Sequence, residues 1–72
     1  DCKELERELV KAKVKINSLG ELIKNYSEQF ENKYSHIDNV EEITELIESI
    51  GLMLQDNANT INGYLERRMN RE

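Results

Sequence analysis

The chain has no proline, no tryptophan, one cysteine and three glycines in 72 residues. Each shortage excludes something. The lone thiol of Cys2 cannot close an internal disulfide, so a chain this short has no covalent staple to offset a small core. One cysteine and one histidine, His36, offer no ligand cluster of the kind zinc needs. Gly20, Gly51 and Gly63 stand too far apart to form a phosphate-cradling loop. The longest apolar run is Leu52-Met53-Leu54, far short of the roughly 20 residues that cross a bilayer. Neither membrane insertion nor a cofactor is expected, and with no nucleophile–base pair an enzyme is not expected either.

Basic residues are scarce in one half only. Residues 1–36 carry seven acids and seven bases, whereas residues 37–72 carry eight acids against Arg67, Arg68 and Arg71. No base lies between Lys33 and Arg67. Such an acidic second half is unsuited to phosphate backbones or anionic lipid, so nucleic acid is not an expected partner, while a basic helix would suit it. Lys11, Lys13 and Lys15 alternate with core positions and read as solvated flanks rather than a phosphate site.

What is present is charge and periodicity. Charged residues make up 35% and aromatics 6%, a composition typical of long helices and coiled coils. With Cys2 as heptad position a, that position collects Leu9, Ile16, Ile23, Phe30, Ile37, Thr44, Gly51, Ala58 and Leu65. Position d collects Leu5, Ala12, Leu19, Tyr26, Lys33, Val40, Ile47, Leu54, Ile61 and Arg68. An unbroken seven-residue repeat is the signature of a left-handed coiled coil. The first reading is therefore all-α: one long amphipathic helix of roughly 108 Å, forming a homo-oligomeric coiled coil over residues 1–72. Residues 1–34 form its N-terminal half, and residues 40–68 a wider hydrophobic C-terminal half.

The seam changes character along its length. Ile at a with Leu at d, as in Ile16, Ile23, Leu5 and Leu19, favours two parallel strands. From Val40 onward the bulk moves to d and g, with Ile43, Ile50 and Tyr64 at g and small residues at a. That widening favours more than two strands over residues 40–65. Leu46 and Met53 add a second apolar row.

The second reading is an antiparallel hairpin that dimerises into a four-helix bundle. Residues 34–39 are mediocre helix formers, and Asp38 with Glu41 matches a capping box. A turn at 35–39 would pair residues whose numbers sum to about 73: Leu19 with Leu54, Ile23 with Ile50, Tyr26 with Ile47, Phe30 with Ile43. Against it, the turn has neither Gly nor Pro, and the heptad keeps phase through Phe30, Ile37 and Val40.

The expected association surface is Leu5, Leu9, Ala12, Ile16, Leu19, Ile23, Tyr26, Phe30, Ile37, Val40, Ile43, Ile47, Ile50, Leu54, Ala58, Ile61 and Leu65, with Leu46 and Met53 as a candidate second row. Thr44 and Asn57 are polar lapses that could set register or strand number, and Lys33 marks a place for the helices to splay. His36 reads as a solvated flank or cap, and Asn25-Tyr26-Ser27 as a chance glycosylation match. Asp56–Gly63 resembles a calcium loop but lacks ligands at the required spacing, and reads as an Asn-rich helical stretch.

The expected function is non-catalytic: a coiled-coil segment that self-associates copies of a larger intracellular, cytoplasmic protein, such as a scaffold or cytoskeletal protein. The competing expectation is a docking module, or one subunit of a hetero-oligomeric coil. In it the acidic C-terminal half binds a basic helix, because Glu41 and Glu48 find no base at g in a parallel homo-oligomer.

Overall fold

Two helices account for almost all of the computed structural model, which describes residues 2–70: α1, Cys2–Lys33, and α2, Val40–Asn70. Both ends of each follow the helix dipole, with Glu4 in the first turn of α1 and Lys33 in its last. Glu41 and Glu42 open α2, and Arg67 and Arg68 close it. The Asn-rich stretch Asp56–Gly63 is helical throughout.

The chain reverses between them, so the single long helix does not form and the hairpin does. Tyr34 N–H donates to Phe30 O (3.0 Å), Ile37 N–H to Tyr34 O (2.9 Å) and Val40 N–H to Ile37 O (3.3 Å). Asn39 makes the turn without glycine or proline: its φ is 70°, in the left-handed region that asparagine enters more readily than most residues. The carbonyl of Asn39 accepts the first bond of α2 from Ile43 N–H (3.1 Å). The cap residue is thus Asn39, one place beyond the Asp38 of the expected capping box. Lys33, the expected splay point, is the last residue of α1, with its ammonium 5.5 Å from the Tyr34 ring.

What brings α1 and α2 together is the absence of side chain. A Cβ built on Gly20 would lie 2.7 Å from Gly51 O, and one built on Gly51 would lie 2.7 Å from Gly20 O. The helices therefore touch backbone to backbone. Along this line α1 contributes buried Gly20 and Ser27, seven residues apart. The matching row of α2 is Thr44, Gly51, Ala58 and Leu65, also at intervals of seven and all buried. Intervals of seven keep a row on one side of a helix that coils gently around its neighbour. Ser27 Oγ donates to Lys24 O (2.6 Å), which lets a hydroxyl occupy the tightest part of the line. Thr44 Oγ1 is buried without a partner among the described residues.

The expected pairs share a level but do not meet in the seam. A Cβ on Gly20 sits among atoms of Gly51 and Gln55, which puts residues whose numbers sum to about 73 at one height. Phe30 and Ile43 accordingly line one small apolar cavity of about 150 Å³ with Tyr34, Ile37 and Val40. Large side chains cannot enter a line of contact this close, and they are displaced to one side of it.

Candidate association face

At about 100° per residue, the a and d rows of α1 and the d and g rows of α2 fall on the same side of the hairpin. Burial follows the angle. The rows next to the contact line are half-buried: Leu9, Ile16, Ile23 and Phe30 on α1, with Ile47, Leu54 and Ile61 on α2. The outer rows are open, including Leu5, Leu19 (49% exposed) and Tyr26 on α1, and Ile43, Ile50 (48%) and Tyr64 on α2. Ala12 is half-buried because it is short. Farther round, Leu22 on α1 and Leu46 and Met53 on α2 border the face and are more exposed still.

Of the residues expected on an association surface, Val40, Ala58 and Leu65 are buried inside the hairpin itself. Among the described residues they are the apolar core of the isolated chain, and they are few. Ile37 lies in the turn and is exposed, as is His36. The remaining expected residues form the open face. Sequence reasoning missed Gly20 and Ser27 as contact residues, and took Thr44 and Gly51 for lapses in a seam when they are the seam.

The exposed area states the same imbalance. The chain exposes 5772 Å², whereas a compact protein of 8.5 kDa exposes about 4,700 Å². The excess, about 1,100 Å², is of the size that each partner gives up in a stable dimer.

The opposite side of the hairpin is cross-linked by polar contacts, although Val10, Val14, Leu52 and Met69 are exposed on it. Lys13 Nζ donates to Asn62 Oδ1 (2.9 Å), Lys24 Nζ to Gln55 Oε1 (3.2 Å) and Gln55 Nε2 to Glu21 Oε2 (2.6 Å). The Gln55 amide, and then Lys24, hold the Glu21 carboxyl below its usual pKa. These contacts near the surface contribute little stability each, and they tie Lys13, Lys24 and Glu21 of α1 to Gln55 and Asn62 of α2. At the open end, Arg68 Nε lies 3.4 Å from Glu6 Oε1, and Arg68 Nη1 is 3.1 Å from the Tyr64 hydroxyl. Beside them an open groove of about 620 Å³ runs between Arg7, Val10, Leu65 and Met69, on this same side of the molecule.

Among the described residues no group of three or more His, Cys, Asp or Glu is placed to hold a metal ion. No described helix is long and apolar enough to cross a membrane. Comparison with protein-family models, with curated proteins and with solved structures finds nothing that matches this chain.

Proposed function

We propose that this chain is a non-catalytic self-association module, in which the open face of one hairpin packs on that of a second copy to form a four-helix bundle. The observation that carries this reading is the continuous apolar face formed by the a and d rows of α1 and the d and g rows of α2. Among the described residues the isolated hairpin has a buried apolar core of Val40, Ala58 and Leu65 only, too little to hold two helices of some thirty residues together. Each large apolar side chain taken fully out of water contributes about 1.5–3 kcal/mol, so closing the face converts a marginal hairpin into a stable particle. The larger protein that such a module would join is taken to be intracellular, on the strength of the unpaired Cys2.

Sedimentation equilibrium tests the reading. At micromolar concentration the expected mass is twice the 8.5 kDa of one chain. A stably helical particle with the mass of a single chain would refute it.

A second reading keeps the docking role of the acidic half. Glu41, Glu45, Glu48, Leu46 and Met53 are all exposed on α2, an acidic and apolar-rimmed strip that suits a basic helix. Leu46→Glu separates the two: docking to a basic helix is lost while the dimer mass persists, whereas loss of both places Leu46 in the bundle core.

A further inference from the structure

We infer that the two copies join with their turns at opposite ends of the bundle, related by a two-fold axis perpendicular to the hairpins. This rests on the self-association reading above and adds its geometry. Two hairpins can close face to face with turns together or turns apart, and both arrangements place every neighbouring helix antiparallel. The helix dipoles therefore do not choose between them. Charge and bulk do.

Charge is polarised along the hairpin. The half that holds the turn, from Glu21 to Ile50, carries eight acids against Lys24 and Lys33. The open half, residues 2–20 with 51–70, carries seven bases against five acids. With turns together, a half of net charge −6 meets its own copy. With turns apart, each −6 half lies against a +2 half. Apart from Lys33 and Arg68, which stand in the d rows, these charges sit away from the apolar face, so most of them act as a field over the length of the particle rather than as contact pairs.

Bulk varies from level to level along the face. Residues that sum to about 73 share a level, and levels near the turn hold Phe30 with Ile43 and Tyr26 with Ile47. One level near the open end holds only Ala12 with Ile61. Turns together would double each level on itself, stacking the thin Ala12–Ile61 level on its own copy and the thick Phe30–Ile43 and Tyr26–Ile47 levels on theirs. A close-packed interior of even width requires similar volume in each layer. A two-fold axis between Ile16 and Leu19 sets residue i of α1 opposite 35 − i of its partner. Ala12 and Ile61 then fall on Ile23 and Ile50 of the other copy, and Phe30 falls on Leu5.

The test uses the only thiol, the exposed Cys2. A nitroxide placed there reports the distance between the two copies by pulsed dipolar spectroscopy, with the mass of the same labelled sample measured by sedimentation. Turns apart puts the labels at opposite ends, about 45 Å from one another. Turns together brings them within about 20 Å, two helix diameters. A particle of dimer mass with the short distance overturns this inference and leaves self-association standing. A particle of single-chain mass with no dipolar signal overturns both. Cys2→Ser with Ser35→Cys moves the label to the turn and must again give the long distance. Salt is the second readout: between 10 and 150 mM the screening length falls from about 30 to about 8 Å, and the dimer Kd is expected to rise. A Kd that falls would speak for like charges being held together, against the inference.

Discussion

Replacing Gly51 with alanine separates two effects that usually travel together. In an exposed helix, Gly→Ala stabilises by about 1 kcal/mol, because the chain loses less freedom on folding. At Gly51 the new Cβ would lie 2.7 Å from Gly20 O and 2.9 Å from Lys24 Cγ. The lysine can swing away, but the carbonyl belongs to a helix. Ordinary contact begins near 3.4 Å, so the backbones must part by about 0.7 Å, which loosens Ser27, Thr44 and Ala58 along the same line. Overpacking of this kind costs about 1–3 kcal/mol, which cancels or outweighs the propensity gain. Gly63 provides the control on the same helix: a Cβ there meets nothing closer than Arg67 Nη1 at 3.6 Å. Gly63→Ala is expected to stabilise by about 1 kcal/mol, and Gly51→Ala to destabilise by about 0–2 kcal/mol. Thermal unfolding by circular dichroism at a fixed chain concentration measures both, since the melting temperature of an associating chain depends on concentration. One kcal/mol moves the midpoint of so small a domain by about 4–8 °C, and by roughly half that if the dimer melts as one unit. The decisive quantity is the sign. In one continuous helix with an ordinary coiled-coil seam, Gly51 meets no second backbone, and both variants should gain. Equal stabilisation by Gly51→Ala and Gly63→Ala would refute the close-contact hairpin.

Other consequences follow from the same geometry. Thr44→Val keeps the shape and removes a buried hydroxyl that has no partner among the described residues, so chemical denaturation should show a gain of about 1 kcal/mol. Ile50→Glu places a carboxylate in the middle of the association face and should reduce the sedimentation mass to that of one chain, with loss of helicity on dilution. In a carboxyl NMR titration Glu21 is expected to protonate below the ordinary glutamate pKa, and Gln55→Ala should move it back up, since the Gln55 amide is the main cause. Because its folded-state pKa is the lower one, the stability that Glu21 contributes is present above its usual pKa near 4.5 and is lost as pH falls through the folded value.

Helicity, the apolar rows and the uneven charge were all legible in the sequence. The reversal was harder to read, for two physical reasons. The turn is made by Asn39 in a left-handed conformation, and asparagine marks such a place far less distinctly than glycine or proline. The heptad also runs through the turn in phase. It does so because position a remains a structural row in α2, but one that lines the contact with α1 instead of an outer seam. The informative sign was the migration of bulk from a and d to d and g at Val40, leaving Thr44, Gly51 and Ala58 at a. Small residues at intervals of seven, matched by Gly20 and Ser27 in the first half, mark a line of closest approach. Thr44 and Gly51, taken as lapses in one long seam, concealed the partner helix. The pairs that sum to 73 had the correct height but the wrong direction, because heptad counting fixes levels better than it fixes which of two neighbouring rows faces inward.

The most direct test of a hairpin joined through its open face is small-angle scattering on a sample of known mass. The expected particle has twice the mass of one chain and a maximum dimension close to the 55 Å length of one hairpin. A rod of about 108 Å would contradict it.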